Sequence, residues 1–280
     1  MVNQEYLTFP AADAAAIESY LPHPAVDGSF HLTLTWATSM DSYLSSAAPT
    51  RTIISGPESK AMTHYLRSRH DAILVGYRTA IADDPSLNCR TQGVSLAEQP
   101  LPIVLDPYYR WVEKGGSRLV ELAKLGLGKQ PVVIGSSEVL ACMTRIQQES
   151  LHRSGLRICD TLMKTLGSAE EIDGGENTGT HQVIDMSILL SLIASFGCRS
   201  VMIEGGARLL DGILGRHQRH ISSIIVTMAP KWFGAELGRA PVRPPMEVDG
   251  LKDIKWRPLG QDVVLLAKGR AAGTMFPFEA

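Results

Sequence analysis

"SVMIEGGARLLDGIL", Ser200 to Leu214, runs from an apolar strand through an acid and two glycines directly into a helical pattern. A short unbroken apolar run of this kind suits a strand buried on both faces. Two glycines at its carboxyl end let a ligand approach the bare main chain, and the N–H groups of the following helix offer hydrogen bonds to a phosphate. A dinucleotide pyrophosphate would suit such a turn. The spacing is not G-x-G-x-x-G, because the next glycine is Gly212, so the Rossmann fingerprint is absent. Taken alone, the motif reads equally well as a tight strand-to-helix turn. Glu204 shifts the balance, since an acid at the end of a buried strand needs a partner or a task.

Working outward, apolar runs alternate with helical patterns: "FHLTLTWA", "DAILVGY", "LPIVLD", "PVVIGS", "LRICD", "RSVMIEG", "SSIIVTMAP" and "DVVLLAKG". That alternation predicts an α/β protein with a mostly parallel central sheet flanked by helices. The last two runs lack a convincing helix between them, which predicts antiparallel C-terminal edge strands. Ser55 followed by Glu58, with Pro57 in the first turn, reads as a capping box that starts a helix near Ser55. Ala61, Met62, Tyr65 and Leu66 then share its core face, with Arg67 near its C-terminal end. Thr165 to Gln182 is polar, glycine-rich and aperiodic, and reads as a surface loop. Residues 1–29 read as a helical N-terminal extension, and residues 30–280 as a single domain.

A formal net charge of −2 gives no global field that would draw in nucleic acid or an anionic membrane. Any anion has to be held locally. Hydrophobic residues make up 44% and charged residues 20% of the 280, ordinary values for a well-filled core. Cys89, Cys142, Cys159 and Cys198 are scattered, with no C-x-x-C pair and no histidine at ligand spacing, so neither a metal nor a disulfide framework is expected. The first residues lack the basic start and apolar run of a secretion signal, and no stretch approaches about 20 apolar residues. The expected location is the cytoplasm.

Two further segments carry polar groups at strand ends. In "VGYRTAIADDPSLNCR", Val75 to Arg90, a short helix or turn over Thr79 to Asp83 is broken by Asp84 and Pro85. Thr79 and Asp83 can bind hydroxyls, and Arg67 and Arg90 can hold a phosphate by charge-assisted bonds. Each of these residues also has an ordinary structural reading. In "LTWATSMDSYLSS", Leu34 to Ser46, a strand gives way to small residues around Asp41. Strand ends in an open α/β sheet gather along one crevice, which would bring Asp41, Thr79, Asp83 and Glu204 together. "GLGKQ" is not a phosphate-binding P-loop. "RHQRH", with His217 and His220, reads as a solvated helix end.

Together, "TWATSMDSYLS", "RTIISGPESKAMTHYLRSRHDAILVGYRTAIADDPSLNCR", "SVMIEGGARLLDGIL" and "IIVTMAPKWFGAE" resemble the riboflavin-pathway reductases, nearest to their stand-alone fungal type. The resemblance implies a dihydrofolate-reductase-like fold and a homodimer. It implies NADPH-dependent reduction of a ribosylamino side chain, on a phosphorylated pyrimidine, to ribitylamino. By motif, Ala37, Thr79, Asp83, Val183, Gly205, Gly206, Ala207, Arg208 and Leu209 would contact NADPH. Arg67, Leu87, Arg90 and Glu204 would line the substrate, the arginines taking its phosphate, and Glu204 and Asp41 would be the catalytic acids. Where that family commonly carries glycine after the strand, this chain has Tyr77 and Arg78. No basic side chain for a 2′-phosphate stands out, and no H-x-E…P-C-x-x-C deaminase pattern is present. Another pteridine- or folate-type reductase, or a non-catalytic NADP-binding protein, are the alternatives.

Overall fold

The computed structural model describes residues 6–23, 29–46, 52–113, 117–166, 181–242 and 247–271. Its strands, in chain order, are β1 His31–Thr38, β2 Tyr43–Ser46, β3 Ala72–Gly76, β4 Leu101–Leu105, β5 Val132–Ser136, β6 Arg157–Thr161, β7 Lys164–Leu166, β8 His181–Val183, β9 Ser200–Glu204, β10 Ser223–Met228, β11 Gly238–Pro241, β12 Lys252–Leu259 and β13 Asp262–Lys268. The helices are α1 Ala11–Ile17, α2 Pro57–Ser68, α3 Tyr77–Asp83, α4 Arg110–Glu113, α5 Arg118–Lys124, α6 Ser137–Cys142, α7 Arg145–Arg153, α8 Met186–Ser195, α9 Ala207–Arg216 and α10 Gly234–Leu237.

One sheet has the order β12-β13-β10-β1-β9-β3-β4-β5-β6. From β10 to β6 every neighbouring pair is parallel, while β13 and β12 run antiparallel at one edge. Strand alternation sorts the apolar side chains into two layers. Leu32, Leu34, Leu74, Val201 and Ile203 face α8 and α9, where Leu189, Ile193, Leu210 and Ile213 meet them. Ile73, Val75, Met202 and Ile225 face the other way, against Met62 and Leu66 of α2, Ala80 of α3 and Leu119 of α5. Because both faces are covered, the strands read as unbroken apolar runs, each large side chain contributing about 1.5–3 kcal/mol. Ile17, Tyr20 and Leu21, at and just after the end of α1, are buried in this second layer. Glu18 beside them accepts two bonds from the Arg69 guanidinium, at 2.6 and 2.7 Å.

The expected antiparallel C-terminal edge is present: the last two apolar runs pair antiparallel as β10 and β13, and β12 lies outside β13, with Ile254 and Trp256 exposed and Pro258 tolerated because an edge has spare backbone groups. Two expectations are corrected. The capping box is not formed. Gly56 is the N-cap of α2, without a side-chain cap, and Asp262 of β13 takes its place by accepting from the Gly56 N–H at 2.8 Å and the Ser59 hydroxyl at 2.6 Å. His220 is buried rather than solvated, and sits in a short 3-10 turn after α9. Of the segment read as a surface loop, residues 167–180 lie outside the described residues; its two ends pair as the antiparallel ribbon β7–β8.

Removing the distant cap tests this account. Asp262→Ala should lower the unfolding free energy by about 1–3 kcal/mol, because the first turn of α2 loses its acceptor in a buried setting. Urea unfolding measures it, and a variant as stable as the parent would contradict the assignment.

Candidate active site

β3 and β9 pair side by side from Ala72–Val201 to Leu74–Ile203. The chain leaves β3 through α3 toward β4, and leaves β9 through α9 toward β10 on the far side of β1. Helices that depart in opposite directions from adjacent strands open a crevice at the carboxyl ends, where open α/β sheets bind ligands.

The turns lining this crevice are bare and closely packed. Gly76 and Gly206 are the N-caps of α3 and α9, and neither helix has a side-chain cap. A methyl group on Gly206 would lie 2.7 Å from Thr79 Oγ1, and one on Gly205 would lie 2.2 Å from Leu210 Cγ. Glycine is needed here for approach, not for an unusual φ, since Gly206 has φ −90°. The Gly205 N–H donates to the Thr35 carbonyl at 3.3 Å, tying the turn to β1, whose Ala37 lies two residues further on, half-buried. Leu209 lies across from Gly76, so Gly76 and Thr79 of one turn meet Gly206 and Leu209 of the other. Uncapped N–H groups at the start of α9, with no side chain in the way, suit an anionic phosphate.

Glu204, the last residue of β9, meets Arg67 from α2. The guanidinium donates Nε–H to Oε1 at 2.6 Å and Nη2–H to Oε2 at 2.7 Å, a bidentate pair. Its Nη1 donates to the Asn88 carbonyl at 3.1 Å, and the Arg67 side chain is only 9% exposed. Arg67 is therefore held as part of the wall, with two of its five N–H groups outside these bonds. The loop that brings Asn88 into place passes through left-handed backbone at Asp84 (φ +38°) and at buried Leu87 (φ +44°). Asp83 is exposed at the end of α3.

Sequence reasoning missed His64, one turn before Arg67 on the same helix. Nδ1 of this buried ring receives the Arg90 backbone N–H at 3.0 Å, and Nε2 lies 3.0–3.2 Å from the Arg90 guanidinium. A neutral imidazole accepts at one nitrogen only. Whichever nitrogen accepts, the ring fixes the Arg90 main chain and guanidinium against α2. Burial first, then Arg67, Arg90 and Lys60, push the His64 pKa down to about 2. The i, i+3 spacing of His64 and Arg67 was the available signal.

Asp41 is held between two loops. Its carboxylate accepts from the Ser39 hydroxyl at 2.6 Å and from the backbone N–H groups of Phe233 and Gly234 at 3.1 and 2.7 Å. These donors, Ser39 foremost, hold it below its ordinary pKa. It is a knot between the loop after β1 and the loop before α10. Val183 belongs to the ribbon β7–β8, opposite Lys164. Among the described residues, no group of three or more His, Cys, Asp or Glu is placed to hold a metal ion, and no helix is long and apolar enough to cross a membrane.

The sequence matches the RibD C-terminal domain over residues 30–265. The chain belongs to that family. RibD-family relatives include the 2,5-diamino-6-ribosylamino-4(3H)-pyrimidinone 5′-phosphate reductase of Candida glabrata, 34% identical over 259 residues that cover 90% of this chain and 94% of the relative. The enzyme of the same name from Saccharomyces cerevisiae is also 34% identical, over 90% of this chain and 93% of its own length. The solved riboflavin biosynthesis reductase of Saccharomyces cerevisiae superposes with a TM-score of 0.68 at 30% identity, covering 91% of this chain and 98% of that one. RibD of Acinetobacter baumannii shares the fold, with a TM-score of 0.60 at 21% identity over 87% of this chain and 59% of its own.

Buried neutral histidines predict how this RibD-family chain responds to acid. Burial lowers His64 to about 2, His31 to about 3, and His70 and His220 to about 4. Their folded values lie below the ordinary 6.5, so between these limits the unfolded chain binds more protons than the folded one. Stability should be full above about pH 6.5 and fall steadily as pH drops toward about 4. Thermal unfolding followed across that range checks the sign; a midpoint that rises on acidification would contradict it.

Proposed function

We propose that the chain is a 2,5-diamino-6-ribosylamino-4(3H)-pyrimidinone 5′-phosphate reductase, using NADPH to convert the ribosylamino group to ribitylamino. The observation that carries this reading is the bidentate Arg67–Glu204 pair beside the two uncapped helix starts at Gly76 and Gly206. A charged pocket wall for a phosphorylated sugar thus adjoins a bare backbone cradle for a dinucleotide.

Thr79 and the Gly205 to Leu209 turn bind the cofactor's phosphates, and Ala37 at the end of β1 borders the same crevice. Asp83 and Val183 are further cofactor contacts in this reading. When bound, NADPH would supply the hydride to C1′ of the open-chain imine, whose exocyclic nitrogen, protonated beforehand, then becomes that of a neutral secondary amine. The protein's part is orientation and charge. Glu204, fixed by Arg67, offers its carboxylate to the positive charge of the protonated imine. Leu87 and Arg67 line the substrate, and Arg90, steered by His64, holds its 5′-phosphate. Asp41 shapes the loop in this reading, because its carboxylate ties Ser39 to Phe233 and Gly234 of a second loop rather than to an arginine of the crevice.

The protein forms a homodimer in this reading and works in the cytoplasm on a small phosphorylated pyrimidine. Exposed Ile254 and Trp256 of β12 give the antiparallel edge of the sheet an apolar character that supports self-association.

The decisive assay follows loss of reduced-nicotinamide absorbance with purified protein, NADPH and freshly made diamino-ribosylaminopyrimidinone phosphate. Turnover with that substrate and none with dihydrofolate is the expected result; cofactor binding without any turnover would sink the reading. Glu204→Gln should lower kcat by about 10²-fold, by loss of charge at the reacting centre. Asp41→Ala should leave kcat within about threefold of the parent while lowering the unfolding midpoint, the split that separates a loop knot from a proton donor.

A further inference from the structure

Residues 88–90 belong to no helix or strand, yet every main-chain polar group from the Asn88 carbonyl to the Arg90 carbonyl has a partner. The Asn88 carbonyl accepts from Arg67 Nη1 at 3.1 Å, the Arg90 N–H meets His64 Nδ1 at 3.0 Å, and the Arg90 carbonyl accepts the Leu7 N–H at 2.9 Å. Between them, both main-chain groups of Cys89 are met by one side chain, Gln99. The Cys89 N–H donates to Gln99 Oε1 at 2.8 Å, and Gln99 Nε2 donates to the Cys89 carbonyl at 3.0 Å.

A primary amide carries a donor and an acceptor side by side, the pair that a residue of a neighbouring strand would present. Gln99 thus replaces a strand edge with one side chain, and the main chain it meets fixes which way its amide points. Ser95 to Glu98 of the same turn are exposed, whereas Gln99 is only 7% exposed. An amide withdrawn from water needs both bonds.

The clamp sits where the backbone least holds itself. Buried Leu87, two residues before Cys89, has φ +44°, a region that a branched side chain keeps only where its surroundings over-determine it. Arg90 follows Cys89 directly, and the Cys89 thiol turns inward to the His64 carbonyl at 3.2 Å. Through Arg67, the same segment is joined to Glu204.

We propose that Gln99 is a positioning residue for the substrate: by fixing Cys89 it sets Leu87 and Arg90 before the ligand arrives. The proposal rests on the reductase reading above, in which Leu87 and Arg90 line the substrate, and adds a residue that touches neither substrate nor cofactor. Preorganisation of this kind acts on affinity. The hydride step is left alone, because the bonds described for Gln99 go to Cys89 and to its own turn, not to α3 or α9.

The test measures steady-state kinetics together with calorimetric binding of ribose 5-phosphate. Gln99→Met keeps the length and removes both bonds; the substrate KM and the ribose 5-phosphate Kd should rise about tenfold or more, with kcat within about threefold and the NADPH KM within about twofold. Gln99→Glu keeps an acceptor for the Cys89 N–H but loses the donor to its carbonyl, and should show the same split; it decides the matter if Gln99→Met does not fold. Leu151→Ala, which opens a cavity under α7 in the apolar layer, is the control for general destabilisation and should leave the substrate KM unchanged. An unchanged substrate KM in the Gln99 variants, equal rises for substrate and NADPH, or the same rise in Leu151→Ala would overturn the positioning role while leaving the reductase intact. A parent that binds ribose 5-phosphate without turnover would overturn the reductase reading alone, and the ribose 5-phosphate Kd would then decide the role of Gln99. A parent that does neither would overturn both.

Discussion

Two parallel strands lying side by side, β3 and β9, release their helices in opposite directions, and the site follows from that divergence. Gly205 and Gly206 let the second turn close on the first to within reach of Thr79. A side chain at either position would push α9 away from α3, or drive into Leu210 and the apolar layer beneath. The same two residues that give the ligand access to the backbone are therefore the ones that allow the two layers to pack.

The Arg67–Glu204 bridge sits at the edge of that packing, and its energetics differ from those of a surface pair. Both partners are largely withdrawn from water, so the cost of desolvation offsets much of their attraction. What holds the arrangement is the completeness of its bonding, with both carboxylate oxygens and the Asn88 carbonyl satisfied by one guanidinium. A bridge of this kind contributes less to folding than to fixing a charge in one orientation, which is the property a reacting centre needs.

Much of this was legible in the chain because buried parallel strands leave unbroken apolar runs. β1, β3, β4, β5, β9, β10 and β13 were all readable from that feature, as was the helical face of Ala61, Met62 and Leu66. β12 was not, because an edge strand carries lysines, an arginine and a proline that look like loop. The capping box failed for a different reason: Asp262, two hundred residues away in the chain, outcompetes the local Glu58, and no window-based reading contains both. Asp41 illustrates a third limit, since its sequence neighbours give no sign of the Phe233 and Gly234 donors that the fold brings to its carboxylate. His64 and Gln99 were visible as residues, but their meaning lies in pairings that only the tertiary fold creates.

The Asp262 contact also orders events during synthesis. α2 carries both His64 and Arg67, yet the acceptor for its first turn lies in β13. Domains form as the chain emerges from its N-terminus, so a nascent chain has long since made α2 before its cap is translated. The first turn of α2 is thus completed only when β13 docks, and a chain that ends short of β13 lacks the acceptor for the Gly56 N–H and the Ser59 hydroxyl.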